Sequence, residues 1–85
     1  MISDQNERDT AQAGLKQIES AILRLLARHP DGLRNADIAE TLNLRSHFRG
    51  RQKDYLTYSV LGGLLERGRV AWDHKTKLFT TRSDL

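Results

Sequence analysis

The chain has 85 residues, a net charge of +3 and no cysteine. That length is one small domain with a modest core, and the missing thiols exclude a disulfide framework or thiolate metal site and fit a reducing cytoplasm. No apolar run reaches the ~20 residues of a membrane-spanning helix, and the polar start MISDQNERDT has no hydrophobic signal region.

In chain order, residues 1–10 read as a flexible N-terminal segment. Apolar residues then recur at Leu15, Ile18, Ile22, Leu25 and Leu26, with Ala21 on the same side. That one-sided stripe is helical. Pro30 and the Asp31-Gly32 turn stop it, so the first helix is expected over about 11–28.

In LRNADIAETLNL, Asn35 suits an N-cap and Asp37 suits the positive end of a helix dipole. Ile38, Ala39 and Leu42 form a short stripe, predicting a second helix over about 36–42. Leu33 and Leu44 flank it as apolar anchors, and Leu33-Arg34 reads as a very short strand. Next comes RSHFRGRQK, residues 45–53, with four full positive charges and no acid. Gly50 breaks any helix through it, so it reads as a loop. Phe48 is expected to anchor that loop on the core rather than stack on a base, and His47 to lie on the surface.

Asp54 suits the N-cap of a third helix over about 55–67. Leu56, Val60, Leu61, Leu64 and Leu65 are its expected buried stripe, while Tyr55, Tyr58, Ser59, Gly62 and Glu66 project elsewhere. Gly62 and Gly63 each weaken a helix by roughly 1 kcal/mol relative to Ala. A close approach is therefore expected there, by a neighbouring helix in preference to a nucleic-acid backbone. Gly68 suits the C-cap. RVAWDHKTKLFTT then alternates as a β-hairpin turning at Asp73 to Thr76. Pairing Val70 with Phe79 would put both on the core, with Trp72 beside Lys77 on the same face. Residues 83–85 are a tail, and Met1 is what a whole small protein is expected to begin with.

Charge is segregated along the chain. Residues 1–43 hold five Lys/Arg against seven Asp/Glu, whereas residues 44–82 hold nine against three. Such asymmetry marks a surface for a polyanion.

The order of helix, short strand, helix, helix and hairpin resembles the winged helix-turn-helix family of DNA-binding domains, over about residues 15–82. LRNADIAETLNL matches the second helix with its lead-in, DYLTYSVLGGLLERGRV the third helix running into a strand, and RVAWDHKTKLFTT the wing. The resemblance implies an α+β domain of three helices plus a C-terminal wing, here 11–82. It implies a third helix in the major groove and a wing on neighbouring phosphates. The chain departs from the family at the connection between second and third helices. That connection usually has ~3–4 residues and here runs from about Asn43 to Lys53.

On this reading Arg45, Arg49, Arg51 and Lys53 are candidates to neutralise phosphates. Gln52, Tyr55, Thr57, Tyr58 and Ser59 can donate to phosphate or touch base edges. Tyr55 and Tyr58 could instead fold back on the core, and Thr57 lies nearer the buried side. His74, Lys75 and Lys77 occupy the wing turn, where they contact phosphate or protect a strand edge. Trp72 is expected to be partly buried, or, if exposed, to suit a protein interface.

The expected function is sequence-dependent binding of double-stranded DNA by a small cytoplasmic transcriptional regulator or accessory factor. A protein-protein adaptor without DNA binding is the alternative, and RNA is a third partner to weigh. A palindromic site would call for a homodimer, for which residues 1–20 could supply a helix. His29, His47 and His74 match no metal-ligand spacing. No paired carboxylates, nucleophile motif or phosphate loop appear. Enzyme activity, cofactors, small-molecule ligands and membrane association are therefore not expected.

Overall fold

The computed structural model describes residues 4–48 and 51–82, and for Phe48, Arg51 and Gln52 the backbone alone. Its elements are α1 (Gln5–Ala27), α2 (Asn35–Thr41), β1 (Ser46–Phe48), β2 (Arg51–Lys53), α3 (Tyr55–Glu66), β3 (Val70–Asp73) and β4 (Leu78–Thr81). The class is α+β, with helices packed on one another and on the β3–β4 hairpin. Among the described residues, no helix is long and apolar enough to cross a membrane.

The core is the set of stripes the spacing predicts, with two changes. Ile22, Leu25 and Leu26 of α1 meet Ile38 and Ala39 of α2, Val60, Leu61 and Leu64 of α3, and Val70 and Phe79 of the hairpin. Leu15, Ile18, Leu33 and Leu42 pack around this cluster. Leu56 and Leu65, expected inside, are exposed, at 46% and 42%. Thr57 takes the inner position, so α3 buries the sequence positions Thr57, Val60, Leu61 and Leu64. That spacing is itself a helical stripe; polar bonds described below select it over the more apolar alternative.

Helix α1 begins at Gln5, six residues before its expected start. Residues 5–13 contain no apolar side chain larger than Ala, so local terms extend the helix. The Gln5 amide donates to Asp9 at 2.8 Å, one turn on, and Glu7 lies near the positive end of the dipole. All side chains of 4–13 are exposed.

Helices α2 and α3 end alike. The Asn43 and Leu44 N–H groups donate to the Glu40 and Ala39 carbonyls, with Asn43 at φ 56°. The Gly68 and Arg69 N–H groups donate to Leu65 and Leu64, with Gly68 at φ +72°. Both are Schellman closures, which need a left-handed residue just past the helix. Beyond α3, Arg67 pairs with Glu19 of α1.

The long connection is not a bare loop. Ser46, His47 and Phe48 pair antiparallel with Lys53, Gln52 and Arg51, forming a second hairpin. The expectation of an irregular loop over 45–53 is thus corrected: both segments extend, and pairing satisfies their backbone groups. Residues 1–3, Arg49, Gly50 and residues 83–85 lie outside the described residues.

The C-terminal hairpin also differs in register. Val70 faces Thr81 and Trp72 faces Phe79, where Val70 opposite Phe79 was expected. The loop is 74–77, one residue later than expected, and Lys77 closes it with φ 66°. The Asp73 carboxylate accepts from the Lys75 N–H at 2.8 Å and fixes where the turn begins. On the outer side of β4, Leu33 and Phe79 exchange both backbone hydrogen bonds, at 3.0 and 2.7 Å. Leu33 is therefore the strand residue expected before α2. Gly32 makes this possible: at φ +96°, any Cβ there would stand 3.0 Å from the Phe79 carbonyl oxygen.

Candidate nucleic-acid interface

A knot of side chains sets the start of α3. Asn35 does not act as an N-cap side chain for α2; it lies inside the helix, and its amide reaches α3 instead. Its Nδ2 donates to the Asp54 carbonyl at 3.1 Å, and its Oδ1 accepts from the Thr57 hydroxyl at 2.7 Å. A carbonyl can only accept, so the Asn35 amide has one consistent orientation. The Asp54 carbonyl also accepts from the Tyr58 N–H at 3.1 Å, which directs the single Thr57 proton to Asn35. Helix α2 is capped from the other direction, by the Asp37 carboxylate accepting from the Arg34 N–H at 3.3 Å.

Arg45 joins the same knot. Its Nε donates to Asp54 Oδ1 at 3.0 Å and its guanidinium reaches the Ala36 carbonyl at 3.4 Å, with Glu40 at 3.8 Å. Arg45 and Asp54 are each about three-quarters covered, at 25% and 24% side-chain exposure. Two expectations are corrected together. Asp54 is the N-cap residue of α3, as expected, but its carboxylate makes no capping bond and accepts from Arg45 instead. Arg45 is a structural cation here, joining the β1–β2 stem to both helices. Thr57 is likewise corrected: it is fully buried, bonded to Asn35, and presents nothing to a partner.

The remaining candidates lie outward. Tyr55 and Tyr58 are 68% and 67% exposed, so neither folds back on the core. Ser59 is exposed beside them. Lys53 Nζ stands 5.6 Å from the Tyr55 ring centroid, and Lys77 Nζ 5.1 Å from that of Trp72. A cation over an aromatic face at that range is attracted by the ring quadrupole. Lys77 beside Trp72 is the neighbourhood expected, although the register differs. His74 and Lys75 are exposed in the turn. Arg51 and Gln52 are placed as β2 residues with side chains outside the description, as is that of Phe48, whose anchoring is therefore not described. His47 is exposed.

These residues form one continuous surface. A shallow hollow of about 360 Å³ is lined by Asn35, Lys53, Asp54, Tyr55 and Tyr58. A second, of about 190 Å³, is lined by Tyr58, Gly62, Leu65, Trp72 and Phe79. Tyr58 belongs to both, so the face runs from Lys53 past Tyr55 and Tyr58 to Trp72 and Lys77. Arg34, which sequence reasoning left aside, ties the far end down: its Nε donates to the Thr76 carbonyl at 3.3 Å. Trp72 is 41% exposed and packs 6.2 Å from Phe79, centroid to centroid.

Gly62 and Gly63 differ from expectation. A Cβ on Gly62 would meet nothing within 4 Å, and one on Gly63 only the Arg67 guanidinium at 3.8 Å. No neighbouring helix needs the space; Gly62 leaves bare backbone at the floor of the smaller hollow.

Among the described residues no group of His, Cys, Asp or Glu is arranged to hold a metal ion. No protein-family model, curated protein or solved structure matches this chain.

Proposed function

We propose that this chain is a winged-helix domain that binds double-stranded DNA, acting as a small transcriptional regulator or accessory factor. The observation carrying the proposal is the exposed start of α3 with a lysine at each end of its face, Lys53 and Lys77. The element order supports the winged-helix reading, with the β3–β4 hairpin as wing. The first turns of α3 enter the major groove, bringing Tyr55, Tyr58 and Ser59 toward base edges and phosphates. Lys53, with Arg49 and Arg51 close to it in sequence, neutralises phosphates on one side. His74, Lys75 and Lys77 do so at the wing.

Titration with a short duplex at low salt tests this, because counterion release makes electrostatic affinity greatest there. Measurable binding that falls steeply with added salt is expected. No binding at low salt would overturn the proposal.

The exposure of Tyr55, Tyr58, Leu65 and Trp72 favours a second reading, an adaptor that binds protein through this face. Charge reversal at Arg49, Arg51 and Lys53 separates the two: it abolishes DNA binding but barely affects an apolar interface.

A further inference from the structure

Helix α3 is poorly equipped to read base edges. Its sequence YLTYSVLGGLLE contains no Arg, Lys, Asn, Gln or His, the side chains that make the discriminating contacts in a major groove. Toward its C-terminal half it offers an apolar hollow instead, lined by Tyr58, Gly62, Leu65, Trp72 and Phe79. Rings and aliphatic carbon suit the flat face of a base, which every nucleotide presents when unpaired.

Three observations bear on the occupant. Lys77 Nζ stands 5.1 Å from the Trp72 ring centroid, so a cation lies beside the aromatic wall of the hollow. Lys75 and His74 follow on the same turn, while the nearby Asp73 carboxylate is already engaged by the turn's N–H groups. Gly62 keeps a glycine in mid-helix although nothing within the chain fills the space beside it. A visiting planar group needs that opening; the fold does not. The other acids near this face are Asp54, held by Arg45, Asp31, behind the hairpin, and Glu66, at the end of α3.

We infer that the hollow between α3 and the β3–β4 hairpin receives an unpaired base, stacked against Trp72 and Tyr58 over Gly62, with its phosphate on Lys77. The preferred ligand is then DNA in which a duplex adjoins a single strand. This rests on the nucleic-acid reading above and specifies the site further.

The chain's single tryptophan is Trp72, so its intrinsic fluorescence reports directly on the hollow. The full chain is titrated with a blunt duplex and with the same duplex carrying a thymidine overhang. The overhang should tighten binding by about fivefold or more, the effect of one stacked base at ~1 kcal/mol, and should quench Trp72 where the blunt duplex does not. Trp72→Leu and Gly62→Ala should each bring the affinity ratio of the two DNAs toward one; Gly62→Ala guards against a folding failure, since alanine favours the helix. Equal affinities with unchanged fluorescence would overturn the inference and leave duplex binding standing. Failure of both DNAs to bind would overturn both. Fluorescence that changes with protein concentration alone, with self-association, would assign the hollow to a second copy of the chain and overturn the inference.

Discussion

The Thr57 hydroxyl and the Asn35 side-chain oxygen meet at 2.7 Å across 22 residues of sequence. This bond, with the Asn35–Asp54 bond beside it, holds the start of α3 against the start of α2. It replaces the short turn by which such helix pairs are usually set. Thr57→Val keeps the shape and removes the donor. The Asn35 oxygen is then left without its partner in a partly covered site, a loss of about 1–3 kcal/mol. Chemical denaturation should show this loss, and Asn35→Ala together with Thr57→Val should lose less than the two single changes added. Strict additivity would count against a shared bond.

Arg45 and Lys53 lie eight positions apart and should behave oppositely. Arg45→Ala removes a charge-assisted bond to Asp54 and should destabilise the fold by about 1.5–3 kcal/mol. Lys53→Ala should change stability by no more than about 0.5 kcal/mol. It should weaken duplex binding and lower the salt slope by about 0.9. Thermal melts and salt titrations of both variants check this; a stability loss confined to the Lys53 variant would invert the assignment.

The glycines at 32 and 62 should also respond in opposite senses. Gly32→Ala forces a Cβ against the Phe79 carbonyl at positive φ, and should destabilise by about 1–3 kcal/mol. Gly62→Ala adds a methyl in open space on a helix and should stabilise by about 0.5–1 kcal/mol. Denaturation midpoints moving the same way would contradict the geometry.

Asp73 contributes a pH dependence. The Lys75 backbone N–H holds its carboxyl below the ordinary value; desolvation opposes this, and the Thr76 N–H and the His74 charge assist it. A folded value below the unfolded one means that the ionised group contributes stability above the unfolded value. That contribution is lost as pH falls through the folded one. Proton titration followed by NMR should give Asp73 a lower midpoint in the folded chain than in denaturant. Asp73→Asn should remove that part of the acid response. Equal midpoints would show that the turn does not grip the carboxylate.

What the sequence made legible was apolar spacing. Ile22, Leu25, Leu26, Ile38, Val60, Leu61 and Leu64 lie inside as their periodicity requires, and Gly68 closes α3 as its chemistry requires. Polar side chains with two uses were harder. Asn35 and Asp54 both suit an N-cap, but each finds a stronger partner far away in sequence, and periodicity carries no trace of such a partner. Thr57 lies inside, on the side its spacing indicated, but its hydroxyl goes to Asn35 rather than to a partner, and its burial turned Leu56 and Leu65 outward. The register of the β3–β4 hairpin depended on Leu33 pairing with Phe79 from across the chain, and on a left-handed Lys77, a residue that does not advertise positive φ. Trp72 was legible as a residue to watch; that it shares a surface with Tyr58 required the packing of β3 on α3.

Arg45 and Asp54 are also the residues immediately outside Ser46–Lys53, and their 3.0 Å contact closes that hairpin at its stem. The chain between them leaves and rejoins the body at two residues that this contact joins. Lengthening a segment closed at such a stem costs little, about 0.6 kcal/mol per doubling of a flexible loop. Its length and charge can therefore be exchanged as a cassette, retuning what the domain adheres to while the aim of α3 stays fixed by Asn35, Arg45, Asp54 and Thr57.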